Sequence, residues 1–575
     1  MLDLQSLLRA CVLLRVAGAC TTILVGKGAS ADGSVFCSHT NDGEAATDPR
    51  LVLVEAKDHA PGAKRPVFFA VEDFPRYVGF DRGIPAYFPV GGQEPLEPLG
   101  FIDEVAHTFS YYEETYGALN EMHVGMGEST CSCVDWAALG GVGTEPCAGG
   151  GGPQPCALLS VDELTRLAME RASTAREAVQ LMGDLAVDHG FYGEGSFEGS
   201  AESLMVTDFD DAWIFHVLPH PSGASAIWAA ERIADDHVAV VANLFVVRNV
   251  NLTDSATFLG SDLAAAASAF PSLAETCASN DWCDFSRTFG GGEYAHKFYS
   301  GRRQWGMLRH LSPDTKLDAD YPTTAPQWVP YPASVPVDPL KSGFRLGLQA
   351  ILDAHRDHYE GTPFDLTRGL AAGPFGNPNR YGAGAGEKNV TGNWERAISL
   401  FRTSDAFVVQ TRRLANSSAA VLWFGSHVPH ATVFSPFPAG MLSLPSEFST
   451  GVQGTFEPTS ALWRTRVVHT LMDLKFGFIV QDVQKAQRRL EGAALKFVEE
   501  YLFLGAPMPA TALTSKFSEI ARANLQGWRD LFDLLLFKYA DGWVNVPKLG
   551  DNVGYPQWWL EEVGYEDGPP PLQSR

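Results

Sequence analysis

Apolar and polar positions in the first part of the chain fall into short runs bounded by turn residues, the pattern of strands. Thr21-Thr22-Ile23-Leu24-Val25 is β-branched and apolar, residues 28–33 (GASADG) form a turn, and residues 34–39 (SVFCSH) return as a second strand. A turn centred near residues 30 and 31 makes antiparallel partners sum to about 61, which sets Cys20 opposite Asn41 with Asp42 alongside. Residues 51–55 read as a further strand. Over 162–183, Leu164, Leu167, Ala168, Ala175, Ala178, Val179 and Met182 recur at three-and-four spacing behind Asp162-Glu163, predicting a helix. Strand patterns follow at 203–207, 213–217 and 238–247, and again at 397–401, 406–410 and 420–424. Residues 284–345 are rich in Gly, Pro and aromatics, with a Pro-dense run at 325–339, and read as an extended surface excursion. Beyond about residue 440 the period becomes helical over 460–503 and 512–540, with Phe517, Ile520, Ala521, Trp528, Leu531 and Leu535 on one stripe. No internal repeat stands out. The expected organisation is a leader over 1–19, an α/β body over 20–440 and a mainly helical region over 441–575.

Composition narrows the class. The 575 residues are 45% hydrophobic and 19% charged, and no run of 18 apolar residues exists, which excludes a transmembrane helix. The net charge of −25 repels phosphate backbones and anionic lipid, so nucleic acid is a poor partner. A small-molecule enzyme or a large binding protein remains.

Residues 1–19 (MLDLQSLLRACVLLRVAGA) are rich in Leu, Val and Ala and end Ala17-Gly18-Ala19, the small-x-small pattern read by signal peptidase. Asp3, Arg9 and Arg15 interrupt the apolar run, and a packed N-terminal helix is the competing account. Nine cysteines fit an oxidising compartment. Cys131, Cys133, Cys147 and Cys156 crowd a Gly/Pro-rich segment, and Cys277 and Cys283 flank a short polar stretch, so pairs among them can staple loops. Their irregular spacing is not a tetrahedral zinc pattern. Asn251, Asn389 and Asn416 open glycosylation sequons. A secreted or vesicular location is expected.

The most informative chemical feature is the place of Cys20, directly after the cleavage pattern and at the mouth of a strand. Removing the leader gives this residue both a thiol and a free α-amine, and the amine, with a reference pKa near 7.7–8.0, is a built-in general base. With Ala19 attached the amine cannot serve, so cleavage is activation. Two other accounts stand beside this one: Cys20 as a buried structural cysteine, and Val16–Cys20 as a lipoprotein box with Cys20 as a lipid anchor.

The run CTTILVGKGASADGSVFCSHTND from Cys20 resembles the start of the bacterial cysteine dipeptidases and the related secernins, which are N-terminal-nucleophile (Ntn) hydrolases. YGALNE at 116–121, GEST at 127–130, AWI at 212–214, WAA at 228–230 and VAN at 241–243 follow in family order. HYEGTPFD at 358–365 and AGPFG at 372–376 are the most specific pieces. ERAIS at 395–399 with Arg402-Thr403, VLWFG at 421–425 and Asp541-Gly542 extend the likeness beyond residue 540. The resemblance implies an α+β fold, the four-layer αββα sandwich with a helical C-terminal extension. It also implies hydrolysis of dipeptides or small peptides by the N-terminal Cys without metal or organic cofactor. By position it makes Cys20 the nucleophile, Asp42 the holder of its amine, Asn243 an oxyanion donor and Arg396 a site cation, with Arg402 as the alternative. Asn120 lines the pocket in this reading, or is a polar turn residue. Many family members carry Arg where this chain has His39, so a permanent cation becomes a group expected to titrate near neutrality, and substrate recognition by His39 is altered. Cys37, on the same hairpin, is a packing residue. The rival functions are an acylase for a non-peptide amide and a non-enzymatic, secernin-like or lipid-anchored protein. A homo-oligomer is compatible with all of these.

Two further motifs were weighed. His355-x-x-His358 with Glu360 has metal-ligand residue types, but His358 belongs to the HYEGT stretch, so no metal is expected. Gly149–Gly152 lacks a following Lys-Ser/Thr and is no phosphate loop.

Overall fold

The computed structural model describes residues 20–43, 47–69, 94–135, 139, 146–147, 156–193, 200–268, 273, 277, 282–293, 297–320, 331–338, 346–381, 393–415 and 417–568. The leader at 1–19, Gly149–Gly152 and the sequons at Asn389 and Asn416 lie outside them.

In chain order come β1 (Thr22–Val25), β2 (Val35–Asn41), β3 (Val52–Val54), β4 (Tyr111–Glu113), β5 (Gly117–Asn120) and β6 (Gly125–Cys131). Helices α1 (Val161–Arg171) and α2 (Ala175–His189) precede β7 (Ala201–Thr207), β8 (Ala212–Pro219), β9 (Ala226–Arg232), β10 (His237–Val241) and β11 (Phe258–Gly260). Then follow α3 (Ser300–Leu311), β12 (Val335–Pro336), α4 (Leu348–His355), β13 (Asp405–Arg413), β14 (Ser418–Ser426) and β15 (Ser435–Pro438). The C-terminal helices are α5 (Ala461–Met472), α6 (Phe476–Val498) and α7 (Ala510–Lys538).

Among the described residues the strands form two large antiparallel sheets, ordered β12-β10-β1-β2-β13-β14-β15 and β11-β9-β8-β7-β6-β5-β4-β3. Strands β1, β2 and β13 of the first sheet face β6, β7 and β8 of the second. They approach so closely that a Cβ on Gly127 would stand 2.2 Å from the Ser38 carbonyl oxygen, so glycine is required there. Ile23, Cys37, Leu119, Met205 and Ile214 fill the space between the sheets. On the far side of the second sheet, Leu164, Leu167, Val179 and Met182 of α1 and α2 pack with Trp213, Phe215 and Trp228. Helices α3 and α4 lie against β10 and β13 of the first sheet, and α7 against β15.

The helix expected over 162–183 is broken in two at Ala172–Thr174. Thr174 is extended, and its hydroxyl accepts from the Glu177 N–H (3.1 Å), an N-cap that starts a new helix without disturbing the apolar stripe. The strand expected at 397–401 is irregular chain, although Ile398 and Ser399 are buried. Burial alone produced that apolar pattern, which periodicity cannot separate from a strand over so short a run. The strand expected over 238–247 stops at Val241 because Asn243 takes a left-handed φ of 61°.

The largest departure concerns residues 284–345. They are not simply a surface excursion, because α3 inside them is buried against β10, with Arg302 and Arg303 among the most buried side chains of the molecule. Ion pairs and carbonyl partners permit this, and arginines hide such a helix from a hydrophobicity count.

Helices α6 and α7 contribute Ala494, Val498, Phe517 and Ala521 to the main core, so the C-terminal region continues the body's packing. Cys147–Cys156 and Cys277–Cys283 are disulfide-bonded, whereas Cys131 and Cys133 are free. Cys37 is buried and its sulfur accepts from the Thr207 hydroxyl at 3.3 Å. The two histidines of the HxxH motif point to different partners: His355 Nε2 to the Ser38 hydroxyl (2.8 Å) and His358 Nε2 to His430 Nδ1 (3.1 Å).

Candidate active site

The register of the first hairpin decides where Cys20 stands. Leu24 pairs with Cys37 and Val25 with Phe36, and the Thr40 N–H donates to the Thr21 carbonyl (3.1 Å), so every pair sums to the value expected from the turn. Cys20 therefore stands opposite Asn41, next to Asp42. Toward this end the ladder opens, since Ile23 N–H donates to the Ser38 hydroxyl (2.9 Å) and Thr21 N–H to the Thr40 hydroxyl (3.1 Å) rather than to main-chain carbonyls.

Asp42 is fully buried. Its carboxylate accepts from Arg396 Nη2 (2.7 Å), the Thr40 hydroxyl (3.3 Å) and the Thr403 hydroxyl. Burial works against the Arg396 charge, but Asp42 and Tyr299 outweigh it and hold the guanidinium above its ordinary range. Arg402 is half-buried and donates to the Gly43 carbonyl (3.2 Å). Of the two candidate arginines, Arg396 is the one that pairs with Asp42.

A third arginine, not anticipated, holds Cys20 itself. Arg303 on α3 donates through Nη1 to the Cys20 carbonyl (2.9 Å) and the Thr21 hydroxyl (2.8 Å). Through Nη2 it donates to Asn243 Oδ1 (2.6 Å) and the Ala242 carbonyl (3.4 Å), and through Nε to the Tyr299 carbonyl (3.0 Å). All five guanidinium N–H groups are engaged. Burial, reinforced by Arg396, lowers its pKa to about 10, so it stays cationic at neutral pH. The sequence signal for it was faint but real: Tyr299, Arg303 and Met307 recur at four-residue spacing, which puts Arg303 on the buried face of α3. Asn243 completes the hub. Its N–H donates to the Ser129 hydroxyl (2.9 Å) and its Nδ2 to the Thr130 carbonyl (2.6 Å), while Ser129 Oγ donates to the Cys20 carbonyl (3.3 Å).

The other side of Cys20 is acidic. The Glu128 carboxyl, buried on β6, accepts from the Thr130 hydroxyl (2.8 Å) and lies beside the Cys20 thiol and the Glu202 carboxyl. Burial pushes its pKa up to about 7. Its signal was a single charge within the otherwise uncharged strand GMGESTC. His39 bonds the Glu128 carbonyl through Nδ1 (2.8 Å), and its Nε2 lies 3.9 Å from Glu114 Oε1. Burial pushes the His39 pKa down to about 4, so the expectation that it titrates near neutrality is corrected. Ligand-type atoms of Cys20, His39 and Glu128 lie within 4.8 Å of one another. That is a compact thiol–imidazole–carboxyl set of the kind zinc accepts.

Asn120 does not join this group. Its Nδ2 donates to the Met169 (3.0 Å) and Ala172 (2.8 Å) carbonyls, and its Oδ1 accepts from the Met122 (3.1 Å) and Val124 (2.9 Å) N–H groups. With all four hydrogen bonds made to backbone, it clamps a turn to the end of α1, which corrects its placement in a substrate pocket. A cavity of about 870 Å³ lined by Thr367, Leu370, Phe375, Phe478 and Trp558 includes none of the residues around Cys20.

Comparison with known proteins gives the family. The profile of Peptidase family C69 matches residues 19–73 and 114–489, most of the chain, and opens one residue before Cys20. A probable dipeptidase of Latilactobacillus sakei is 25% identical over 421 residues, 73% of this chain and 74% of that protein. The dipeptidase of Bifidobacterium longum (strain NCC 2705) is 25% identical over 497 residues, 82% and 80% of the two chains. A probable dipeptidase A of Streptococcus pyogenes serotype M3 is 23% identical over 544 residues, 93% and 100% of the two chains. On the extent of the profile match and the placement of Cys20 within it, the chain belongs to peptidase family C69.

Proposed function

We propose that the protein is a cysteine dipeptidase in which residues 1–19 are a leader and Cys20, once exposed as the first residue, is the nucleophile. The observation that carries this reading is the Arg303 hub: one buried guanidinium holds the Cys20 carbonyl, the Thr21 hydroxyl and the Asn243 amide oxygen in a single array. The array also carries Asn243, the candidate oxyanion donor, to the same strand end as Cys20. The two facing sheets with helices against their outer faces favour the αββα sandwich of the Ntn hydrolases. The two bonded cysteine pairs and the apolar leader favour a secreted or vesicular location.

In this mechanism the neutral α-amine of Cys20 takes the thiol proton, and the thiolate attacks the scissile carbonyl carbon. The carbonyl π pair moves to oxygen, where the second Asn243 Nδ2 hydrogen is the oxyanion donor. The ammonium then protonates the leaving amine, the C–N bond breaks, and a thioester remains. Water, deprotonated by the same amine, attacks the thioester carbon; the C–S bond breaks, the ammonium returns its proton to the sulfur, and the carboxylic acid product leaves. Asp42 accepts three hydrogen bonds and a carboxylate offers about four sites, so one is left for the amine. Its charge alone would favour the inert ammonium, but Arg396 offsets it, and Arg303 at the Cys20 carbonyl favours neutral amine and thiolate alike. Arg402, half-buried beside Gly43, is the candidate for the substrate carboxylate.

Cys20→Ala is expected to lower dipeptide turnover by about 10⁴-fold or more while the fold is kept. N-terminal sequencing of the active protein is expected to begin at Cys20. Full activity in Cys20→Ala, or in a chain still starting at Met1, would sink the reading.

A further inference from the structure

We propose that Glu128 is the specificity-determining residue that binds the α-ammonium of the substrate's first residue, so that the enzyme takes unblocked peptides and rejects N-acylated ones. The inference rests on Cys20 as nucleophile. In a dipeptide the α-nitrogen is attached to the carbon next to the scissile carbonyl, so it lies only about 2.5 Å from the carbon under attack. At an attack distance of about 3–3.5 Å, a group beside the Cys20 sulfur on its substrate-facing side is within contact range of that nitrogen. Glu128 is such a group: its carboxylate and the Cys20 sulfur lie within 4.8 Å of each other. The residue is 1% exposed, and Oε2, 3.9 Å from His39 Nδ1, has no hydrogen bond of regular geometry. Glu114 Oε1, beyond His39, is also buried without such a partner.

The charges around Cys20 are thus divided. Arg303 donates to the Cys20 carbonyl and Arg396 to the Asp42 carboxylate, whereas Glu128 and Glu114 flank the neutral His39 imidazole. A zwitterionic substrate with its ammonium toward the acids and its remaining length toward the arginines matches that division. An N-acyl group would bring a neutral amide against a buried carboxyl and leave it without a counter-charge.

Wild-type hydrolysis of Ala-Ala is compared with that of propionyl-Ala, the same molecule lacking the α-nitrogen. The expected kcat/KM ratio is at least about 10³, since a site built around a substrate N–H rejects the analogue without it. In Glu128→Gln the Ala-Ala value is expected to fall at least about 100-fold with propionyl-Ala nearly unchanged, so the ratio collapses, and Glu128→Asp is expected to restore part of it. Alkylation of Cys20 by iodoacetamide, read by peptide mass, reports whether the variant sites are intact. Equal wild-type rates on the two substrates would overturn the proposal. So would a parallel loss on both in Glu128→Gln, which would make Glu128 a positioning residue for the thiol. Should Glu128→Gln not fold, an undiminished ratio in Glu128→Asp overturns it and a reduced one supports it. Failure of the nucleophile assignment would appear instead as an active Cys20→Ala, whatever the two-substrate ratio.

Discussion

At the scale of single residues, burial rather than residue type decides what the groups around Cys20 do. His39 is an ordinary histidine by sequence, yet its ring sits between Glu128 and Glu114 with its pKa pushed down to about 4, so it is neutral throughout the physiological range. The group that titrates near neutrality is Glu128, at about 7. Replacing His39 by Arg would set a permanent cation against that carboxyl and favour its ionised form. The Cys20 amine and Glu128 both shape the acidic limb of a pH–rate profile on a dipeptide, and the limb is expected to move down by about one unit in His39→Arg, since the new cation favours the neutral amine as well as the ionised carboxyl. Coincident profiles would separate His39 from the chemistry. Arg303 gives a second test. Lysine keeps the charge but not the five-donor fork, so Arg303→Lys is expected to lower kcat at least about ten-fold and destabilise the fold by about 3 kcal/mol, read by denaturant unfolding. Cys20, Asp42 and Asn243 were legible because each stands in a local motif. Glu128 and Arg303 were not, because their importance lies in what the fold brings to them.

At the scale of elements, the hairpin that positions Cys20 was readable from its turn: seven polar and apolar residues of β2 are all buried, and their register follows from turn length alone. Helices were less legible where capping competes with periodicity. The apolar stripe runs through both α1 and α2, and only the Thr174 cap reveals the break. Thr174→Ala is expected to cost about 1 kcal/mol in denaturant unfolding, with peptidase activity unchanged because α2 packs on the outer face of the second sheet and Cys20 adjoins a strand of the first. Helix α3 shows the opposite failure. Its arginines make it look like solvated chain, and its neighbours' Gly and Pro content reinforces that impression, although it supplies the residue that holds the Cys20 carbonyl.

At the scale of the whole molecule, the C-terminal helices are joined to the body through buried histidines. His427 and His430 meet His469 of α5, with His427 Nε2 and His469 Nδ1 2.9 Å apart and the rings of His430 and His469 5.1 Å apart, and His358 Nε2 meets His430 Nδ1 at 3.1 Å. Burial, and then their mutual repulsion when charged, holds His427 and His430 well below the usual range, and burial brings His469 to about 4. The unfolded chain binds protons at these sites that the folded one refuses, so their contribution to stability is complete above about pH 6.5 and is lost as pH falls toward 4. The thermal midpoint is expected to drop across that window, and to drop less steeply in His427→Asn/His430→Asn. Equal slopes would mean that other groups govern the acid limb. What the sequence by itself determined is local: strand and helix periods, the first hairpin's register, the place of Cys20 behind a cleavage pattern, and the neighbouring Asp42. These depend on contacts within a few residues or on the period of one element. The tertiary structure alone decided the rest, namely which arginine meets Asp42, that Arg303 grips Cys20, that Asn120 is tied up in a turn, and that carboxyls line one flank of the sulfur. Those are facts of long-range proximity and shared burial, and no periodicity along one chain encodes them.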